Sequence, residues 1–180
     1  MSDDENPTTI WVTSDVTPFG NYQLAIHFDD DTSRVLDRDA AYAYASTVID
    51  ASERAEYYAA VIRQFSTTLK APKELAASVA GDLRADLPPL DLAAIEPLDL
   101  RPGVSHRNGS AFLAIWRNGK QVGQWTPADA RGHALHVLQS LHAVPLDAAY
   151  RRYLIGPINI EPDRAANVVG DLAKHRGDQL

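Results

Sequence analysis

Asp129, His133 and His136 stand at i, i+4 and i+7, so on a helix their side chains share one face, and carboxylate and imidazole are both zinc ligands. No HExxH-type general base accompanies them. The spacing therefore reads as histidines beside a core stripe, with no metal site. Asp29-Asp30-Asp31 lacks the EF-hand spacing and its terminal Glu, and reads as a solvated turn. Asp82 and Asp171 could pair as acid and base, but no nucleophile or oxyanion partner stands near either in sequence, so they read as structural helix ends. The chain has no cysteine, and no Gly-rich phosphate loop, GxSxG elbow or dinucleotide fingerprint is present. The expectation is a protein that is not an enzyme, with no catalytic residues, no metal and no cofactor.

The composition is that of a globular chain with enough length for a core: 180 residues, 45% apolar and 23% charged. No apolar run approaches the roughly 20 residues that span a bilayer. The acidic start, Met1–Pro7, is the reverse of a signal peptide, which leads to an expected cytoplasmic location. Net charge is −7 but unevenly placed. Residues 1–98 hold 7 Lys+Arg against 17 Asp+Glu, and residues 99–180 hold 10 against 7. Five of the six histidines also lie in the second part. Such asymmetry suits a second half that meets an anionic partner.

The elements that carry these residues occur twice. Residues 20–83, slid by 89 positions onto 109–172, are identical at 16 of 64 positions without a gap. The identities fall on a strand core (Leu24/Leu113, Ile26/Ile115), a helix stripe (Ala41/Ala130, Ala45/Ala134, Val48/Val137) and a helix end (Gly81/Gly170, Asp82/Asp171). The predicted architecture is α+β, two β-β-β-α-α repeats related by a pseudo-two-fold axis. The first repeat covers 1–83 with its acidic tail, a Pro-containing linker covers 84–97, and the second repeat covers 98–180.

Alternation around Ile10 and Val12 predicts a strand over Thr9–Ser14, then strands over Tyr22–Phe28 and Ser33–Leu36 with turns at 17–21 and 29–32. The second copy reads Leu98–Arg101, Ala111–Arg117 and Gln121–Trp125, with turns at Asn108-Gly109 and Asn118-Gly119, where both residues tolerate positive φ. Long helices are predicted after the N-caps Asp37 and Thr126, the second supported by Pro127 and expected to kink or break at Pro145. Short helices follow Pro72 and Pro162.

Divergence between the copies points to candidate surfaces. Where the first copy has Gln23, Ala25 and His27 on one strand face, the second has Phe112, Ala114 and Trp116. Something must cover Phe112 and Trp116, either the other repeat, the 84–97 segment, a second copy of the chain or a partner. A second patch joins Tyr150 and Tyr153 to Arg151 and Arg152. With Lys174 and Arg176, these arginines form a basic, aromatic-containing set able to contact phosphates.

The stretch Gly123-Gln124-Trp125-Thr126-Pro127-Ala128-Asp129-Ala130-Arg131, running into Ala134, Val137-Leu138 and Asp147-Ala148-Ala149-Tyr150, resembles small actinobacterial and actinophage proteins of unassigned function. Those place a Trp-Thr/Ser-x-x-x-Ala-Arg turn before an alanine-rich helix. The resemblance covers about 30 residues and implies no activity; it points to accessory, phage- or defence-related biology. The functional expectation is a protein-interaction or regulatory module using Phe112, Trp116, Tyr150 and Tyr153, with another protein or a second copy of this chain as partner. The alternative is a nucleic-acid-binding regulator using Arg151, Arg152, Lys174 and Arg176. A small-molecule binder in a cleft between repeats is a third reading.

Overall fold

The computed structural model describes residues 10–16, 22–28, 32–96 and 98–177. The turns expected at 17–21 and over 29–31, and the acidic start, lie outside the described residues. The fold is α+β, with six strands in two three-stranded antiparallel sheets and four α-helices. In chain order these are β1 (Ile10–Val16), β2 (Tyr22–Phe28), β3 (Thr32–Leu36), α1 (Arg38–Thr67), α2 (Lys73–Asp86), β4 (Leu98–Val104), β5 (Ala111–Arg117), β6 (Lys120–Trp125), α3 (Pro127–Ile155) and α4 (Pro162–Gly177). A short 3-10 turn, Leu92–Ile95, precedes β4. Among the described residues no helix is long and apolar enough to cross a membrane.

The elements repeat with a fixed spacing. β2 and β5, α1 and α3, and α2 and α4 each begin 89 residues apart, and β1 and β4 begin 88 apart. The registers agree at one end, with Leu24 paired to Leu36 in one sheet and Leu113 to Trp125 in the other, and part at a bulge after Ile115 in the second sheet. Asn118 and Gly119 both have positive φ (51° and 77°), the geometry a two-residue hairpin needs to follow strand twist. At the start of α3 the Thr126 hydroxyl accepts the Asp129 N–H, while the Asp129 carboxylate accepts the Thr126 N–H and hydroxyl. Asp37 caps α1 by accepting the Ala40 N–H at 2.8 Å. Contrary to an expected break, α3 runs through Pro145 without interruption.

The chain forms two compact units, and each takes segments from both halves of the sequence. Unit 1 comprises residues 1–45 and 135–180; unit 2 comprises 46–134. In unit 1, the β1-β2-β3 sheet, the start of α1, the end of α3 and α4 build one core. Leu24, Ile26, Phe28 and Leu36 are buried on the sheet, with Ala41, Tyr44 and Ala45 buried on α1. Helix α4 packs against β1, and its Ala165 and Val169 close over Leu154 with Ile155 and Ile160 at the margin. In unit 2, the β4-β5-β6 sheet buries Leu98, Leu100, Leu113 and Ile115. Val48, Ala51, Ala55 and Tyr58 of α1, Ala76 and Ala80 of α2, and Ala130 and Ala134 of α3 complete that core. Small side chains at these helix positions permit close approach of backbone to a neighbouring element.

Candidate functional site

The end of α3 in unit 1 presents three large side chains to solvent. The helix phase follows from two inward residues. Asp147 is almost fully buried and its Oδ2 accepts the Ser14 hydroxyl at 2.9 Å, and Leu154 sits in the α4 core. Positions 146, 150 and 153, at i, i+4 and i+7, share a neighbouring face of the helix. Leu146, Tyr150 and Tyr153 are accordingly 67%, 39% and 53% exposed, a continuous apolar stripe with two phenol edges. Tyr150 and Tyr153 thus share one surface, and Leu146, which the sequence reading did not select, belongs to it. Its signal was available in the 3.6-residue period but lay masked by the neighbouring proline.

The two arginines that adjoin in sequence point to different environments. Arg152 is exposed, whereas Arg151 is half-buried and its Nε has no acceptor among the described residues. Lys174 and Arg176 fall within α4, and their side chains lie outside the described residues.

Phe112 and Trp116 lie in unit 2 on the outer face of β5, both half-buried. Their neighbours come from β4 of the same sheet. Gly103 pairs with Phe112, and a Cβ at Gly103 would meet the Phe112 ring at 2.5 Å, so only glycine lets the ring lie flat there. The Arg101 guanidinium lies 4.1 Å from the centre of the Trp116 ring and is held by Asp99 at 2.8 Å. On the β1–β2 pair of unit 1, Trp11 stacks on His27 at 5.2 Å, and the His27 Nε2 shares a 2.7 Å hydrogen bond with the Thr13 hydroxyl.

The candidate metal ligands are engaged separately. Asp129 caps α3; His133 is buried against the Trp125 ring at 4.9 Å; His136 is exposed. Among the described residues no three His, Cys, Asp or Glu side chains cluster to hold a metal ion. Asp82 and Asp171 are both exposed. Among the described residues, three groups are shifted from their ordinary values: Glu56 downward, Arg131 and Tyr44 upward. Arg131 makes a double hydrogen bond to Glu56 at 2.9 Å and reaches Glu53 at 3.3 Å, and this holds the Glu56 carboxyl below the usual carboxylate range. Burial pushes the Tyr44 phenol well up, with Arg34 pulling weakly the other way.

No protein-family model, curated protein or solved structure matches this chain.

Proposed function

We propose that this chain is a protein-interaction module that docks an amphipathic segment of another protein on the end of α3. The exposed Leu146–Tyr150–Tyr153 stripe carries the reading: apolar and aromatic anchors on one helical face suit a partner's apolar side chains. The test is quantitative capture by the wild-type chain and by a Leu146→Ser, Tyr150→Ser, Tyr153→Ser variant. Exposed positions of this kind change stability little, so the variant should melt within a few degrees of wild type. Partner affinity should fall by at least about tenfold, the loss of one or two hot-spot side chains. Unchanged capture by the folded variant refutes the reading.

The same helix supports a second reading, because Tyr150 and Tyr153 are exposed, as is Arg152 on another face, and bases stack on aromatic rings. A nucleic-acid complex would weaken steeply between 50 and 200 mM salt and would be lost on charge reversal at Arg151 and Arg152. An apolar protein interface would persist across that range.

We also propose that the chain is an internal duplication. The 89-residue spacing of elements supports it, as does the division of the units after Ala45 and after Ala134, again 89 apart. So does a reciprocal contact: Tyr42 meets His142 in unit 1, and the positions offset by 89, Arg131 and Glu53, meet in unit 2.

A further inference from the structure

Unit 2 contains a cavity of about 300 Å³ that the interaction reading does not use. Its walls are apolar: Leu87, Leu90, Leu92, Leu100 and the Pro88-Pro89 pair. Three arginines from three elements also line it, Arg54 of α1, Arg84 of α2 and Arg101 of β4. Each is braced. Arg54 forks onto Asp50 through Nε and a terminal nitrogen and donates to the Pro88 carbonyl. Arg84 lies over the Tyr58 ring at 5.2 Å and donates to the Pro102 carbonyl at 3.1 Å. Arg101 is fixed between Asp99 and the Trp116 ring.

We infer that this cavity binds a small organic anion, an oxyanion head (carboxylate or phosphate) on an apolar body. Three cations face two carboxylates, Asp50 and Asp99, and among the described residues Arg84 pairs with no carboxylate. A guanidinium has five N–H donors, and Arg84 spends one on the protein. Its remaining donors match an oxyanion in a bidentate fork. The proline pair adds apolar wall with no N–H donor of its own, so the walls favour a hydrocarbon body. The volume sits at the small end of ligand sites and suits a medium-chain or single-ring ligand.

The charge set belongs to one copy only. Residues 1–98 hold just seven cations, yet two of them meet Arg101 here. At the corresponding positions of unit 1, Arg54, Tyr58 and Arg84 are replaced by Ala143, Asp147 and Ala173, and Arg101 by Thr13. A core requirement common to both units would have kept the arginines in both; a ligand taken by one unit would not.

The test uses the full chain with four probes: octanoate, phenyl phosphate, octylamine and inorganic phosphate, followed by calorimetry and thermal shift. We expect saturable binding of octanoate or phenyl phosphate with a Kd below about 1 mM. Which of the two binds tighter tells a carboxylate source from a phosphate source. Octylamine and inorganic phosphate should bind at least tenfold more weakly, one for lack of negative charge and the other for lack of an apolar body. Arg84→Gln should weaken the preferred probe by about tenfold, as expected for one charge-assisted hydrogen bond. If Arg84→Gln does not fold, Arg101→Gln, at an exposed position, gives the same comparison. No saturable binding of either amphiphilic anion overturns the inference, as does equal binding of octylamine or wild-type affinity in the folded variants.

Discussion

Arg131, Glu53 and Glu56 show how far a residue's type predicts its chemistry. Sequence reading weighed the neighbouring histidines of α3 as ligands, yet the charged geometry lies one position after Ala130, where Arg131 forks onto Glu56. That pairing depends on a partner 75 residues away and has no local signal. The same holds for Arg54, Arg84 and Arg101, which meet only because three elements converge on one cavity. The pair gives a pH prediction. Because Arg131 holds the folded-state Glu56 below its unfolded value, its stabilisation is present above about pH 4.3 and is lost as pH falls through the folded value. Both side chains are largely solvated, so the contribution is about 0.3–1 kcal/mol. In urea unfolding Glu56→Gln should cost that much at pH 7, and the gap from wild type should close in acid. A gap independent of pH would refute an ionic origin. Tyr44 acts at the other end of the scale. Its folded-state value is raised, so stability is full below about pH 10 and declines as pH rises through the folded value. Tyr44→Phe should flatten that alkaline decline between pH 9 and 11, whatever it costs at pH 7.

The elements were the most legible part of the chain, for physical reasons that differ from one to the next. β2 and β5 have the expected bounds, Tyr22–Phe28 and Ala111–Arg117, because the alternation of apolar residues marks both and Asn-Gly pairs flank β5 in sequence. β4 extends past the expected Arg101 to Val104, carrying Pro102 and Gly103 that sequence rules exclude from strand interiors. It is an edge strand, where a missing N–H costs little, and Gly103 makes room for Phe112. Pro145 was expected to disturb α3, yet the helix continues ten residues beyond it, to Ile155. Buried residues on both sides of the proline, Val137 before it and Leu154 after it, hold the phase that propensity alone would lose. The start of α3 is different: Thr126 and Asp129 cap each other with groups read straight from sequence. Thr126→Ala should therefore cost about 1 kcal/mol in chemical denaturation. Thr126→Ser should recover most of it, since the hydroxyl rather than the methyl does the capping; failure of Ser to recover would assign the loss to packing.

At the scale of the molecule, periodicity tells which face of a helix is apolar but not which sheet covers it. The two stretches that match in sequence are each contiguous, whereas the compact units are not, and nothing in residues 1–83 announces that the first sheet is completed by the last helix. Helix α4 nevertheless packs on β1, and Ala165 and Val169 lie in the core with Leu154. This assignment is open to a direct test. Ala165→Asp places a carboxylate in a cluster of Leu154, Val169, Ile155 and Ile160, which destabilises by about 3 kcal/mol or more. Under native conditions amide exchange opens a protein in cooperative segments rather than all at once. The variant should therefore lose protection first in β2, Tyr22–Phe28, of unit 1, although that strand lies 137 residues or more from the substitution in sequence. β5, Ala111–Arg117, which belongs to the same sequence repeat as α4 but to unit 2, should hold its protection longer. A loss in β5 equal to or greater than that in β2 would mean that each sheet is closed by the helices that follow it in the chain, and the interleaved units would be wrong.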